Sequence, residues 1–200
     1  MGLSHSPKIP TSGLILCLDA ANAKSYPGSG TTWTDLSGKG NHHTLVDTPT
    51  FSTDKFTLNG TSEGFQQLTA LTGVTSTCTV VMWYSTTEQQ ELWAVGQTTS
   101  YYFSASNNNN YYESNAGSPT NYVDLVSVTN PYAAGLKDGA YHMWEAKTVD
   151  LTTWTAIKWG LYGGAWNLGG DVSMVLVYDR VITVGESLQI YNAMRGRHGI

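Results

Sequence analysis

Acid–base cleavage of a glycosidic bond needs two carboxyl groups flanking that bond within a fixed span, which on a strand means acidic residues at alternate positions. No Glu-x-Glu or Glu-x-Asp-x-Glu occurs in the chain. Glu88 and Glu91 stand in the polar run STTEQQE at 85–91, which reads as a solvated loop, and Asp150, Asp171 and Asp179 stand singly. Gly60-Thr61-Ser62-Glu63-Gly64 satisfies Gly-x-Ser-x-Gly, but a nucleophile elbow leads into a helix and the following Phe65-Gln66-Gln67-Leu68-Thr69 reads as strand. His42 and His43 are neighbours that point apart, and His5, His142 and His198 are scattered, so no zinc spacing exists. Cys17 and Cys78 each sit in an apolar run and read as buried thiols, not as a disulfide framework. The expectation is a non-enzymatic protein with no catalytic residues and no cofactor.

Aromatic rings offer a different chemistry. The 200 residues include seven Trp and twelve Tyr, and Trp93, Tyr101, Tyr102, Tyr111 and Tyr112 lie around loops where flat amphipathic rings can face sugars. They form the candidate carbohydrate-binding set. Trp83, Trp144, Trp154 and Trp159 fall on strands and are expected to fill the core. Tyr-Asn-Ser surfaces suit protein recognition equally well, so glycan pocket and subunit interface both stay open. Only 12% of residues are charged, about half the usual share, and the net charge is −5. Phosphate-backbone binding needs a clustered basic face, so nucleic acid is not an expected partner. No apolar stretch approaches the roughly 18 residues of a membrane helix, and MGLSHSPKIPTSG lacks the apolar segment of a secretory signal. MGLSHS fits the myristoylation pattern at Gly2 and Ser6, with Pro7 directly after it.

The elements that must position these residues are short strands. The candidates are Leu14–Leu18, Phe56–Leu58, Phe65–Leu68, Thr77–Tyr84, Leu92–Val95, Tyr101–Ala105, Tyr122–Val128, Tyr141–Thr148, Trp154–Leu161 and Val172–Tyr178. In Thr79-Val80-Val81-Met82-Trp83-Tyr84 both parities are apolar, which suits a strand covered on both faces, whereas Asp124 between Val123 and Leu125 marks a half-exposed one. Asn59-Gly60, Asp138-Gly139 and Gly163-Gly164 supply turns. Asn-rich Ser104–Tyr122 reads as a surface tip flanked by aromatic strands, and this length suits one domain. One helix is expected, over Val184–Arg195: Thr183 and Glu186 have capping-box spacing, Leu188, Tyr191 and Met194 form the buried stripe, and Gly196 ends it. The spacing predicts an all-β antiparallel sandwich with one short C-terminal helix.

With this strand map, both ends of the chain resemble known sequences. GDVSMVLVYDRVITVGESLQIYNAM at 170–194 is similar to the closing strand and helix of laminin-G-like, concanavalin A-like jelly rolls. WTDLSGKGNHHTLVDTPTF at 33–51 and FTLNGTSEGF at 56–65 resemble the segments after the first strand of that family. The resemblance implies a two-sheet jelly roll over 13–200, preceded by an arm at 1–12. Residues 20–45 become a long polar crossing over the sandwich end, which Trp33 pins to the core. Many such domains hold a structural calcium, and Asp19 and Asp171 are the matching positions for it.

A narrower likeness joins HSPKIPTSGLILCLDAANAKSYPGSGTTWTDLSGKGN at the start to IYNAMRGRHGI at the finish, a combination similar to jelly-roll virion proteins of tailed bacteriophages. It implies a non-enzymatic virion structural protein assembled in the bacterial host cytoplasm, foremost a capsid decoration or cement protein seated on the major capsid protein. The alternative it leaves is a lectin-like module on tail or neck that attaches to host glycans. On the cement reading the arm Met1–Ser12, with Lys8, lies on a neighbour, Arg195 and Arg197 meet an acidic capsid surface, and the chain forms a homo-oligomer, a trimer.

Overall fold

The structure is a computed structural model that describes residues 8–87, 94–98, 100–105, 111–130, 136–161 and 167–200. Its strands, in chain order, are β1 (Leu14–Asp19), β2 (Thr32–Trp33), β3 (His43–Val46), β4 (Thr50–Ser52), β5 (Lys55–Asn59), β6 (Gly64–Gln67), β7 (Cys78–Ser85) and β8 (Ala94–Val95). They continue with β9 (Tyr102–Ala105), β10 (Tyr111–Ser114), β11 (Gly117–Val123), β12 (Val126–Val128), β13 (Tyr141–Val149), β14 (Ile157–Trp159) and β15 (Gly169–Tyr178), and helix α1 (Val184–Met194) follows. Among the described residues two antiparallel sheets form. The first runs β12-β11-β13-β7-β15-β5-β4, with β1 also paired to β15, and the second runs β10-β9-β8-β14-β6-β3-β2. This is the expected jelly-roll sandwich. Long β15 serves two partners on one side, β5 along Gly169–Val172 and β1 along Met174–Tyr178.

Burial explains why β7 is apolar at every position. All eight of its residues are buried: Val80, Met82 and Tyr84 face the inter-sheet core, while Val81 and Trp83 join a second cluster. That cluster, with Met143, Met174, Leu176, Tyr178, Ile190 and Met194, lies between the first sheet and α1. The central core is aromatic. Trp33, fully buried, packs on Phe56 and Phe65 with ring centroids 4.8 and 4.6 Å away, so it does pin the polar crossing. Each such ring pair contributes about 0.5–1.5 kcal/mol beyond its area burial.

Buried polar groups hold the rest of the crossing. Asp35 Oδ1 accepts from the backbone N–H of Cys17 (2.9 Å) and Ser37 (2.8 Å), and its Oδ2 accepts from Asn41 N–H (3.0 Å) and Ser37 Oγ (2.7 Å). Asn41 Nδ2 donates to Ile15 O at 2.7 Å, and its Oδ1 accepts from Thr72 N–H at 2.8 Å. The Asp-Leu-Ser-Gly-x-Gly-Asn segment is thus a set of hydrogen bonds that satisfies backbone groups of a loop lying on the core.

Several expectations are corrected. Tyr122–Val128 is two strands, because Asp124 and Leu125 take φ of +47° and +72° and reverse the chain between β11 and β12. Trp154–Leu161 shrinks to β14, and Trp154 is buried in a loop with its indole N–H donating to Asn115 O at 2.7 Å. Strands β2, β3 and β4 arise within stretches rich in Thr and His that read as loop. Residues 88–93 and Gly163-Gly164 lie outside the described residues. The helix has its capping box as expected, but the face it buries carries Ser187, Ile190 and Met194, with Leu188 46% exposed and Tyr191 half-buried. Gly196 does not end it: the chain tightens into a 3-10 turn over Arg195–Arg197, and Gly199 at φ +76° makes the reversal.

Candidate functional site

The sequence-predicted site residues do not converge on one place. Trp93 lies outside the described residues. Tyr101 is half-buried and packs edge-on against Trp154, 6.1 Å between centroids at 86°, as part of the core wall. Tyr102, half-buried, starts β9, while Tyr111 and Tyr112 pair with Ala105 and Ser104 along β10 at the end of the second sheet. Asp19 accepts from Arg197 Nη1 at 2.7 Å, and Asp171 accepts from Lys55 Nζ and Thr57 Oγ1, both at 2.6 Å. Each calcium candidate therefore faces an organic cation, and among the described residues no three His, Cys, Asp or Glu side chains group to hold a metal.

The described part of the arm and the tail are bound to their own molecule. Lys8 O accepts from Gln189 Nε2, Pro10 O from Tyr178 OH (2.9 Å) and Ser12 O from Arg180 Nη2 (2.9 Å), with Ile9 packed on the second cluster. Residues 8–12 are thus held along their own sandwich. In the tail, Arg197 is held by Asp19, and His198 stacks on Tyr141 (3.9 Å, 14°) and Trp83 (5.5 Å, 26°). Burial chiefly, and Arg197 next, lower the His198 pKa to about 4, so the ring is neutral where it touches Ser173 Oγ at 3.0 Å. Lys8 and Arg195 remain exposed.

A different site forms where strand ends and turns meet. A polar cleft of about 250 Å³ is lined by Leu58, Asn59, Ser85, Thr86, Gly139 and Asp171, with Thr87, Gly169 and Gly170 completing it. The hydroxyl of Ser85 donates to Gly139 O at 2.8 Å and that of Thr86 to Gly169 O at 2.5 Å, tying the 138–140 turn and the start of β15 to the end of β7. Close approach there requires glycine: Gly170 has φ +144°, and a Cβ on it would lie 2.2 Å from Ser85 O. The sequence marks 59–60 and 138–139 only as separate turns. Their convergence on Asp171 follows from β5, β7 and β15 being neighbours in one sheet.

Titratable groups border this cleft. Asp138 Oδ1 accepts from Ala140 N–H at 2.7 Å and contacts His142 Nε2 at 3.1 Å, and these bonds, the backbone one first, lower its pKa. His142 Nδ1 meets Asp124 Oδ2 at 2.6 Å, and that bond chiefly raises the imidazole pKa. Tyr141 has its phenol pushed up by burial first and then by Asp171 and Asp54.

No pair of these groups is arranged for hydrolysis. Asp171 is the one carboxylate among the described residues that line the cleft, and Asn59 Oδ1 gathers the N–H groups of Thr61, Ser62 and Glu63, so the Gly-x-Ser-x-Gly run is a turn leading into β6. His43 is fully buried, accepts from Trp159 Nε1 at 2.8 Å, and has its pKa lowered to about 4 by burial, which makes it a neutral core acceptor.

No protein-family model and no curated protein sequence matches the chain. Solved structures do. Trypanosoma rangeli sialidase in complex with sialic acid superposes with a TM-score of 0.60 at 14% identity, covering 93% of this chain and 34% of that one. The receptor binding domain of botulinum neurotoxin C/D mosaic serotype gives 0.57 at 11% identity, covering 91% of this chain and 51% of that one. The chain thus spans about a third of the sialidase and half of the toxin domain. At such identities the likeness is one of fold: the protein is a β-sandwich of the architecture these chains contain.

Proposed function

We propose that the chain is a non-enzymatic recognition module, displayed on the exterior of a bacteriophage particle, that binds host-surface glycan. The observation that carries this is the polar cleft, whose Asp171, Ser85 and Thr86 are fixed on adjacent strand ends with no accompanying acid–base pair. Prepositioned hydroxyl and carboxylate groups are what orientation of a polyhydroxyl ligand requires. The fold likeness to a toxin receptor binding domain is compatible with recognition. The resemblance of both chain ends to phage virion proteins supports the setting. The test is a glycan array probed with the whole chain. Saturable binding that a bulky Thr87→Arg change at the exposed lip removes is the expected result, and a flat array refutes the reading.

A second reading, a decoration protein seated as a trimer on the major capsid protein, draws on one surface. Val181, Val184 and Leu188 are 44%, 74% and 46% exposed, and the last two stand one turn apart on α1. This apolar strip suits contact with another subunit. The cement role also drew on arm and tail contacts; the backbone carbonyls of Lys8, Pro10 and Ser12 and the Arg197 side chain are bound internally, while the Lys8 and Arg195 side chains stay exposed. Cryo-electron microscopy of the particle separates the two: even coverage of the shell supports decoration, and confinement to tail or neck supports glycan attachment.

A further inference from the structure

We infer that the cleft selects sugars that donate hydrogen bonds, neutral or amine-bearing, and rejects anionic ones such as sialic acid; this rests on the glycan reading above. The argument follows the protons. A hydroxyl has one proton, and those of Ser85, Thr86 and Thr57 are spent on Gly139 O, Gly169 O and Asp171 Oδ1. Ser85 and Asp171 therefore offer lone pairs to a ligand. Asp171 Oδ1 accepts from Thr57 Oγ1 and Oδ2 from Lys55 Nζ, and the Tyr141 phenol interacts with the same carboxylate; two lone pairs on each oxygen still leave acceptor capacity, and the side chain is 19% exposed. Asn59 spends its Oδ1 on three backbone N–H groups and directs its Nδ2 toward Ser62 Oγ at 3.5 Å. Thr87, at the lip, rotates to donate or accept.

Charge around the cleft points the same way. Asp171 lines it, Asp138 adjoins Gly139, and Glu63 Oε2 accepts from Asn59 N–H at 2.8 Å. Against these carboxylates stand Lys55, paired with Asp171, and His142, held between Asp138 and Asp124. A ligand carboxylate entering here meets the Asp171 carboxylate and the Ser85 lone pairs, with few donors to replace its lost water. An ammonium or a sugar hydroxyl supplies the missing protons. The volume, about 250 Å³, lies just under the roughly 300–1,000 Å³ of small-molecule pockets and suits a terminal sugar unit.

The experiment is calorimetric titration of the whole chain with matched probes: lactose against sialyllactose, and glucosamine oligomers against their N-acetylated forms, at low ionic strength. Lactose is expected to bind roughly ten- to hundredfold more tightly than sialyllactose, the effect of exchanging one charge-assisted hydrogen bond for a mispaired one. The glucosamine oligomers should bind at least as well as the N-acetylated ones. Asp171→Asn should lower glucosamine binding about tenfold. Because Asp171 also holds Lys55 and Thr57, Thr87→Arg provides a second variant that leaves those bonds alone, and it should abolish the preference for lactose. Sialyllactose binding more tightly than lactose, or a preference that survives both variants, overturns the inference. Silence of all four probes overturns it too. If a wider array then shows binding insensitive to Thr87→Arg, glycan recognition stands at another place; a wholly silent array removes both.

Discussion

Lys147 and Glu145 lie two residues apart on β13, and α1 covers them, leaving their side chains 8% and 1% exposed. Lys147 Nζ donates to Ile182 O and Ser187 Oγ, both at 3.1 Å, and stands 3.5 Å from Glu145 Oε1. Ser187 Oγ donates to that same oxygen at 2.8 Å, whereas Glu145 Oε2 is buried with no hydrogen-bond partner. Replacing Lys147 by Met keeps the stem's bulk and strands the carboxylate with Ser187 alone. Removing one partner of a buried pair costs about 3–5 kcal/mol. At about 2–4 °C per kcal/mol for a chain of this size, Lys147→Met should lower Tm by roughly 6–20 °C. Glu145→Gln should cost less, about 1–3 kcal/mol, because the ammonium keeps two oxygen acceptors. Glu145→Leu with Lys147→Met should recover most of the loss, since an apolar pair needs no solvation and the Ser187 hydroxyl can donate to Thr183 O, already 3.2 Å away. The pH dependence adds a signature. Burial raises the Glu145 pKa above 4.5, so its contribution to stability is fully present below 4.5 and lost as pH rises through the folded value. Without the lysine that rise grows, and the deficit of Lys147→Met should be smaller at pH 5 than at pH 8. Urea denaturation followed by tryptophan fluorescence measures both. A Lys147→Met deficit within about 1 kcal/mol of the parent, or one equal at the two pH values, refutes the reasoning.

Three further outcomes are expected. His142 has a raised pKa, so the stability it contributes is complete below pH 6.5 and is lost as pH rises through its folded value; denaturation midpoints should fall across that window in the parent and stay flat in His142→Asn. Thr183→Ala removes the side chain that accepts from Glu186 N–H at 3.2 Å and should cost about 1 kcal/mol, read as a shift in thermal midpoint with α1 retained by circular dichroism. Gly170→Ala places a methyl against Ser85 O at a φ of +144° and should cost at least about 1–3 kcal/mol, with lost protection of the 138–140 turn in hydrogen exchange.

The all-β class, the doubly covered β7 and the capped helix were legible because each is written locally, as alternation, as an apolar run and as a Thr-x-x-Glu spacing. Trp33 as an anchor was legible too, being the largest side chain in a long polar stretch. Which face α1 buries was not. Leu188 is the more apolar residue, yet Ser187 goes inside, because the helix lies over Glu145 and Lys147 and its hydroxyl both accepts from the ammonium and donates to the carboxylate, which leucine cannot do. In sequence nothing marks those two residues as a pair; only the packing of α1 on the first sheet made them a buried one. The cleft shares this origin. Asn59, Ser85, Gly139 and Asp171 are distant along the chain and become neighbours through the register of β5, β7 and β15, a pairing that no local signal encodes. Local chemistry determined the elements and their caps, and sheet order decided which polar groups would share a site, because side-chain proximity across strands depends on contacts far apart in sequence.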